Sequence, residues 1–174
     1  MTTNPSPLTS LNDPTLLKTE GLIDGAWVSG STRFEVTDPA TGSHLADVAN
    51  LDAEHAQAAI AAADKAWPAW RAKPAKERAG ILMKWFALLH QHADDLARIM
   101  TAEQGKPLAE AKGEVTYGAS FVEWFAEEAK RVYGETIPTT DPTKRYLVLK
   151  QPIGVCAAIT PWNFPIAMIT RKVA

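Results

Sequence analysis

Apolar residues recur along this chain in three successive rhythms, and each predicts a different kind of element. Between residues 21 and 50 they fall in short runs broken by turn formers. Leu22, Ile23, Ala26, Trp27 and Val28 flank Asp24-Gly25, a dipeptide that favours a two-residue hairpin because both positions tolerate positive φ. A second hairpin is predicted where 34–36 and 45–48 flank the turn Asp38-Pro39-Ala40-Thr41-Gly42. From Asp52 the spacing changes to three and four. Asp52 is placed to cap a helix with Ala56, Ile60, Ala63 and Trp67 on one face, which Pro68 ends or kinks. Pro74 opens a second helix, with Glu77 in its first turn and Ala79, Leu82, Phe86 and Leu89 as its buried stripe. A third starts at Asp94 or Asp95 and stops at Gly105, just before Lys106 and Pro107. The fourth is long: Leu108, Ala111, Val115, Gly118, Val122, Phe125, Ala129 and Val132 share one face before Gly134 ends it. Gly113 and Gly118 inside this helix cost about 1 kcal/mol each against Ala, which implies close approach of a neighbouring element.

The third rhythm follows a turn-rich connection bracketed by Pro138 and Pro142. Over 145–150, Tyr146 and Val148 alternate with Leu147 and Leu149, a strand apolar on both faces and in need of a partner. Residues 155–159, Val-Cys-Ala-Ala-Ile, form a continuous apolar run that suits a strand buried on both faces. Pro161 stops it, Trp162, Asn163 and Phe164 follow in a loop, and Pro165 has the preset φ of a first helical turn. In a parallel sheet such a strand-loop-helix unit holds ligands beyond the carboxyl end of the strand, where Trp162 and Asn163 fall. Residues 1–20, rich in Ser, Thr, Pro and Asn with a short helical turn near 15–18, read as a mobile arm.

Composition narrows the functional classes. The 174 residues are 46% hydrophobic and 22% charged, enough for one sizeable core in a globular α/β chain. A formal charge of −2, with no Lys/Arg run longer than two, argues against a nucleic-acid partner or an acidic membrane surface. No apolar run exceeds six residues, whereas a membrane-spanning helix needs about 18. The N-terminus carries no basic region or apolar signal core before Lys18, so the expected location is cytoplasmic. The single cysteine, Cys156, lies in an apolar run with no sequence-near cation or base to lower its pKa, which points to structural burial rather than nucleophilic use. His90 and His92, two apart, do not share a helix face, and no metal site is expected. The charges Glu103, Lys106, Glu110, Glu114, Glu127 and Glu128 read as solvated helix faces.

Pro161-Trp162-Asn163-Phe164-Pro165 resembles, position for position, the loop of the aldehyde dehydrogenase superfamily. The likeness extends over nearly the whole chain after about residue 20. It includes the early hairpin, the Asp-Pro-Ala-Thr-Gly turn, and the segments 66–71, 103–114 and 121–128, which are most similar to the succinate-semialdehyde dehydrogenase branch. The resemblance implies the N-terminal part of that fold, a helical layer plus the start of a Rossmann-like parallel sheet. Residues 21–137 would be hairpins and helices of the dinucleotide-binding domain, 138–152 an oligomerisation strand, and 153–174 the first strand-loop-helix of the cofactor-binding sheet.

It further implies NAD or NADP as cofactor, a small aldehyde as substrate and a homo-oligomer at full length. Asn163 would be the catalytic oxyanion donor. Ile159, Thr160, Pro161, Trp162 and Asn163 would line the cofactor cleft. Phe164 and Met168 would lie along the substrate tunnel, and Arg171, three residues after Met168 on one helix face, would present a guanidinium to the substrate's distal carboxylate. Counterparts of the family's nucleophilic cysteine, base glutamate and glycine-rich cofactor loop are missing, and Ala174 falls inside the helix that Pro165 starts. The expectation is therefore a truncated chain, inactive by itself. The alternative is a non-catalytic assembly or interaction module.

Overall fold

The computed structural model describes residues 7–174, in which short antiparallel hairpins flank a helical layer built around one long helix. β1 (Gly21–Ile23) and β2 (Ala26–Val28) pair across Asp24-Gly25, whose φ values of 49° and 79° are the left-handed conformations the dipeptide predicts. β3 (Thr32–Thr37) pairs with β4 (His44–Asn50) in a register that sets Phe34 opposite Val48, and the ladder shifts at Val36/Thr37 where the turn begins. Asp38 shapes that turn, its carboxylate accepting from the Ala40 N–H at 2.7 Å while its carbonyl accepts from Gly42 N–H.

Five α-helices follow: α1 (Ala53–Arg71), α2 (Ala75–Gln91), α3 (Ala93–Gln104), α4 (Leu108–Glu128) and, near the end, α5 (Ala167–Val173). Asp52 caps α1 by accepting from the N–H groups of Glu54 and His55. Gly105 closes α3 at φ 77°. The core lies where α4 packs on α2, α3 and α5. Ala97, Met100, Ala111 and Val115 form one cluster, and Leu89, Ala119 and Val122 form another, with Leu96 wedged against both. Leu89, Ala111, Val115 and Val122 are stripe positions of α2 and α4 read from sequence, so the 3.6-residue period predicted those buried faces, whereas Ala119 and the α3 residues Ala97 and Met100 were not singled out. Past residue 128 the helix tightens into a 3-10 turn (Ala129–Arg131), and Val132, the last member of the predicted stripe, is exposed.

Several expectations are corrected. The arm read as mobile is docked from residue 7 onward, residues 1–6 lying outside the described region. The 3-10 turn Pro7–Ser10 packs on α3, a second (Pro14–Leu16) follows it, and the buried Asp95 carboxylate accepts from the Asn12 N–H (2.9 Å), the Asn12 side chain (3.0 Å) and the Asp13 N–H (2.8 Å). The segment is fixed here by hydrogen bonds together with its half-buried leucines Leu8, Leu11, Leu16 and Leu17. No residue of α1 is buried; Ile60 in its predicted stripe is exposed, and the helix touches little beyond β1. Its alanine-rich sequence and N-cap suffice to form it, and periodicity alone does not supply a partner. Pro68 does not end α1, which continues three residues to Arg71.

The buried strand expected at 155–159 is not formed. The segment is extended and exposed, with Ile159 at 95% and Cys156 open to solvent, correcting the expected burial of that thiol. Among the described residues the strands form three separate two-stranded ladders, and none lies beside 155–159 to complete its backbone hydrogen bonds. The strand expected over 145–150 shortens to β6 (Tyr146–Val148) and finds its partner in β5 (Glu135–Ile137), with both faces still exposed.

Candidate functional site

The loop 161–166 joins the open segment to α5, and three side chains from the α3–α4 region hold it in place. Lys106 lies in the short break between those helices. Its Nζ donates to the Asn163 carbonyl at 3.0 Å and sits 4.1 Å from the centre of the Phe164 ring. The same ammonium pairs with the Glu114 carboxylate of α4. Glu114 reaches the far end of the loop, where Oε1 accepts from the backbone N–H groups of Ile166 (2.9 Å) and Ala167 (3.3 Å). Gln104, the last residue of α3, adds a donor to the Asn163 carbonyl at 3.2 Å. The pair is buried, with the Lys106 and Glu114 side chains 10% and 1% exposed. The charge pattern predicts a solvated helix face for both, which the structure overturns; Glu110 and Glu127 do lie on the surface. A signal was present in the sequence, because Glu114 stands three after Ala111 and four before Gly118, inside the apolar stripe of α4.

α5 approaches α4 closely at Gly118. A methyl group there would stand 2.7 Å from Ile166 Cγ2 and 3.5 Å from the Ala167 backbone, so the predicted close approach holds at this glycine. At Gly113 nothing lies within 4 Å of such a methyl, and the same inference fails. Pro165 is in the turn before α5 rather than its first residue, and Ala167 and Thr170 are buried against α4.

The predicted site residues divide into two groups. Asn163, Phe164, Met168 and Arg171 lie in succession along the loop and the first turns of α5, where the Phe164 carbonyl accepts from the Met168 N–H. The Arg171 guanidinium donates toward Met168 Sδ at 3.1 Å and lies 5.7 Å from the Phe121 ring centre. Arg171 is exposed, and Phe121 with Trp124, Glu127 and Arg131 borders an open hollow of about 610 Å³ on α4. Phe121 was not singled out from sequence as a neighbour of this site. Asn163 is exposed, while Gln104 and Lys106 bind its backbone carbonyl. Ile159, Thr160, Pro161 and Trp162 run along the extended segment instead. Residues 156–159 face Lys172 and Val173 across an open groove of about 520 Å³, and Trp162 projects from the surface.

Chemically, the loop offers a neutral amide on a fixed backbone, an aromatic ring beneath a cation, and a guanidinium one turn into the following helix. A neutral amide can donate to a developing oxyanion without introducing a titrating group. A guanidinium suits a carboxylate or another planar anion. Among the described residues no group of His, Cys, Asp and Glu is arranged to hold a metal ion, and no helix is long and apolar enough to cross a membrane.

Comparison with known proteins gives a consistent result. The sequence pattern described as "Aldehyde dehydrogenase family" matches residues 27–174. The chain is 60% identical over 164 residues to the NADP(+) succinate-semialdehyde dehydrogenase of Escherichia coli (strain K12), covering 93% of this chain and 34% of that protein. It is 59% identical over 166 residues to a 3-sulfolactaldehyde dehydrogenase of Pseudomonas putida, covering 94% of this chain and 34% of that one. The crystal structure of succinate-semialdehyde dehydrogenase from Burkholderia pseudomallei superposes with a TM-score of 0.92 at 59% identity, over 94% of this chain and 34% of that chain. The chain thus spans about a third of the length of the relatives it matches, and corresponds to the N-terminal part of their fold.

Proposed function

This chain belongs to the aldehyde dehydrogenase family, and on that premise we propose that it forms the N-terminal part of an NAD(P)-dependent enzyme oxidising succinate semialdehyde to succinate. The reading rests most on one observation, the clamped 161–166 loop that carries Asn163 with Phe164, Met168 and Arg171 close behind it. Oxidation of an aldehyde passes through a tetrahedral adduct, which needs a nucleophile, donors for the oxyanion, an electron acceptor and a base for the later hydrolysis. Asn163 takes the oxyanion role. Phe164 and Met168 provide apolar contact to the carbon chain, and Arg171 receives the distal carboxylate through charge-assisted hydrogen bonds. The relatives named for succinate semialdehyde and 3-sulfolactaldehyde support that last assignment, since both substrates carry an anionic group away from the aldehyde.

NAD or NADP, when bound, supplies the electron acceptor. Ile159, Thr160, Pro161 and Trp162, on the approach to Asn163, would line the cleft for its nicotinamide half. The nucleophile and the base are assigned to no residue of this chain, so by itself it is proposed to be inactive. A homo-oligomer belongs to the same proposal, supported by the open β5–β6 ladder and by Leu147 and Leu149, which are 71% and 74% exposed. A cytoplasmic location is proposed from the sequence alone.

The test uses the complete enzyme carrying this chain, followed through formation of reduced nicotinamide. Succinate semialdehyde should be oxidised, and Arg171→Ala should lower kcat/KM for it by about 10- to 100-fold, as for loss of hydrogen bonds to a charged group. Turnover of butanal should stay within about threefold. Equal losses on the two aldehydes would remove Arg171 from substrate recognition, and absence of turnover on either would remove the function itself.

A further inference from the structure

We propose that Lys106 and Glu114 are positioning residues for this reaction, a buried ion pair that aims the Asn163 amide by holding the loop at both ends; the proposal rests on the reading of Asn163 as the oxyanion donor. An ion pair taken out of water is costly unless every remaining lone pair and proton finds a partner. In this pair the extra partners are all on the loop and the first residue of α5. Lys106 spends its second donor on the Asn163 carbonyl at 3.0 Å and places its charge 4.1 Å over the Phe164 ring. Glu114 accepts from the backbone of Ile166 and Ala167 through Oε1 while Oε2 keeps the lysine.

The geometry follows from what is pinned. Fixing the Asn163 carbonyl fixes the peptide plane that leaves this residue and restrains its ψ, which sets the direction of its Cα–Cβ bond. Only the two side-chain torsions are then left to bring the amide onto an oxyanion. Glu114 fixes the other end of the loop three residues on, against α4, where Gly118 lets α5 approach. Neither residue needs to reach the reacting atoms. Lys106 is buried beneath the loop on the carbonyl side of Asn163, and Glu114 is closed off by Lys106 and the two N–H groups. Their effect on rate passes through Asn163, and misplacing a catalytic group by about 1 Å can cost as much as 100-fold.

A double-mutant cycle on kcat in the complete enzyme tests this, with Lys106→Met, Asn163→Ala and the two combined. Lys106→Met should lower kcat for succinate semialdehyde by about 10- to 100-fold and leave the KM for the nicotinamide cofactor within about twofold. On the Asn163→Ala background the same substitution should have almost no further effect, because the group it positions is gone. Lys106→Arg, which keeps cation and donor, should restore most of the rate. Should Lys106→Met not fold, Gln104→Leu removes the uncharged donor to the same carbonyl, and its smaller loss should vanish equally on the Asn163→Ala background. Losses that multiply in the combined variant would overturn the positioning role while leaving Asn163 in place. An Asn163→Ala enzyme as fast as the parent would instead overturn the reading on which the proposal rests.

Discussion

Asp95 is a single carboxylate that ties Asn12 and Asp13 of the N-terminal segment to α3. Both its oxygens accept hydrogen bonds from Asn12 and Asp13, and these, the Asn12 backbone N–H foremost, hold its pKa below the ordinary aspartate value of 3.8 against the opposing effect of burial. Because the folded value lies below the unfolded one, the contribution is fully present above pH 3.8 and is lost as pH falls through the folded pKa. In the 174-residue chain, the Asp95 carboxyl carbon followed by NMR should therefore titrate with a midpoint below 3.8, and the Asn12 and Asp13 amide resonances should move with it. A midpoint at or above that value would mean the arm is not held by this carboxylate. The arm's polar composition, read alone, had suggested mobility; hydrogen bonds to one distant acid leave no periodic trace in sequence.

Element boundaries were legible wherever local chemistry set them. Asp24-Gly25, the Asp52 cap and Gly105 each require a particular backbone conformation, and each appears where the residues call for it. The stripes of α2 and α4 were legible where those helices are buried, from Ala79 to Leu89 and from Ala111 to Val122, and not at Leu108 or Val132, which are exposed. The same period in α1 marks a face on which no residue is buried, and the apolar run 155–159 predicted a strand whose ladder partners are not among the described residues. Pairing is non-local, so a run of β-branched and small residues states a preference without naming a neighbour. The two glycines of α4 show the same limit. Gly118→Ala should destabilise the chain by about 1–3 kcal/mol through overpacking against Ile166 and Ala167. Gly113→Ala, in open space, should stabilise it by about 0.5–1 kcal/mol through helix propensity. Urea unfolding of the two variants checks both signs, and a matching change in each would show that neither depends on α5.

At the scale of the whole molecule, the helical layer works as a mount. α3, α4 and the break between them present Gln104, Lys106 and Glu114 to one loop, and the loop and the helix after it carry the residues most plainly marked in the sequence, Asn163 and Arg171. The motif was legible because its Trp, Asn and two Pro are specific in that order. Its support was not, since Lys106 and Asn163 are 57 positions apart and each looks ordinary in its own segment. The extended segment before the loop remains open, in a chain spanning about a third of the relatives' length. The central claim, that this mount holds an oxyanion donor in an aldehyde dehydrogenase, is tested most directly by comparing kcat for succinate semialdehyde between the complete enzyme and its Asn163→Ala variant. A loss of about 100- to 1,000-fold, with cofactor KM little changed, is the predicted result for removal of such a donor. A kcat within about twofold of the parent would contradict the account, leaving the loop as structure without a part in the chemistry.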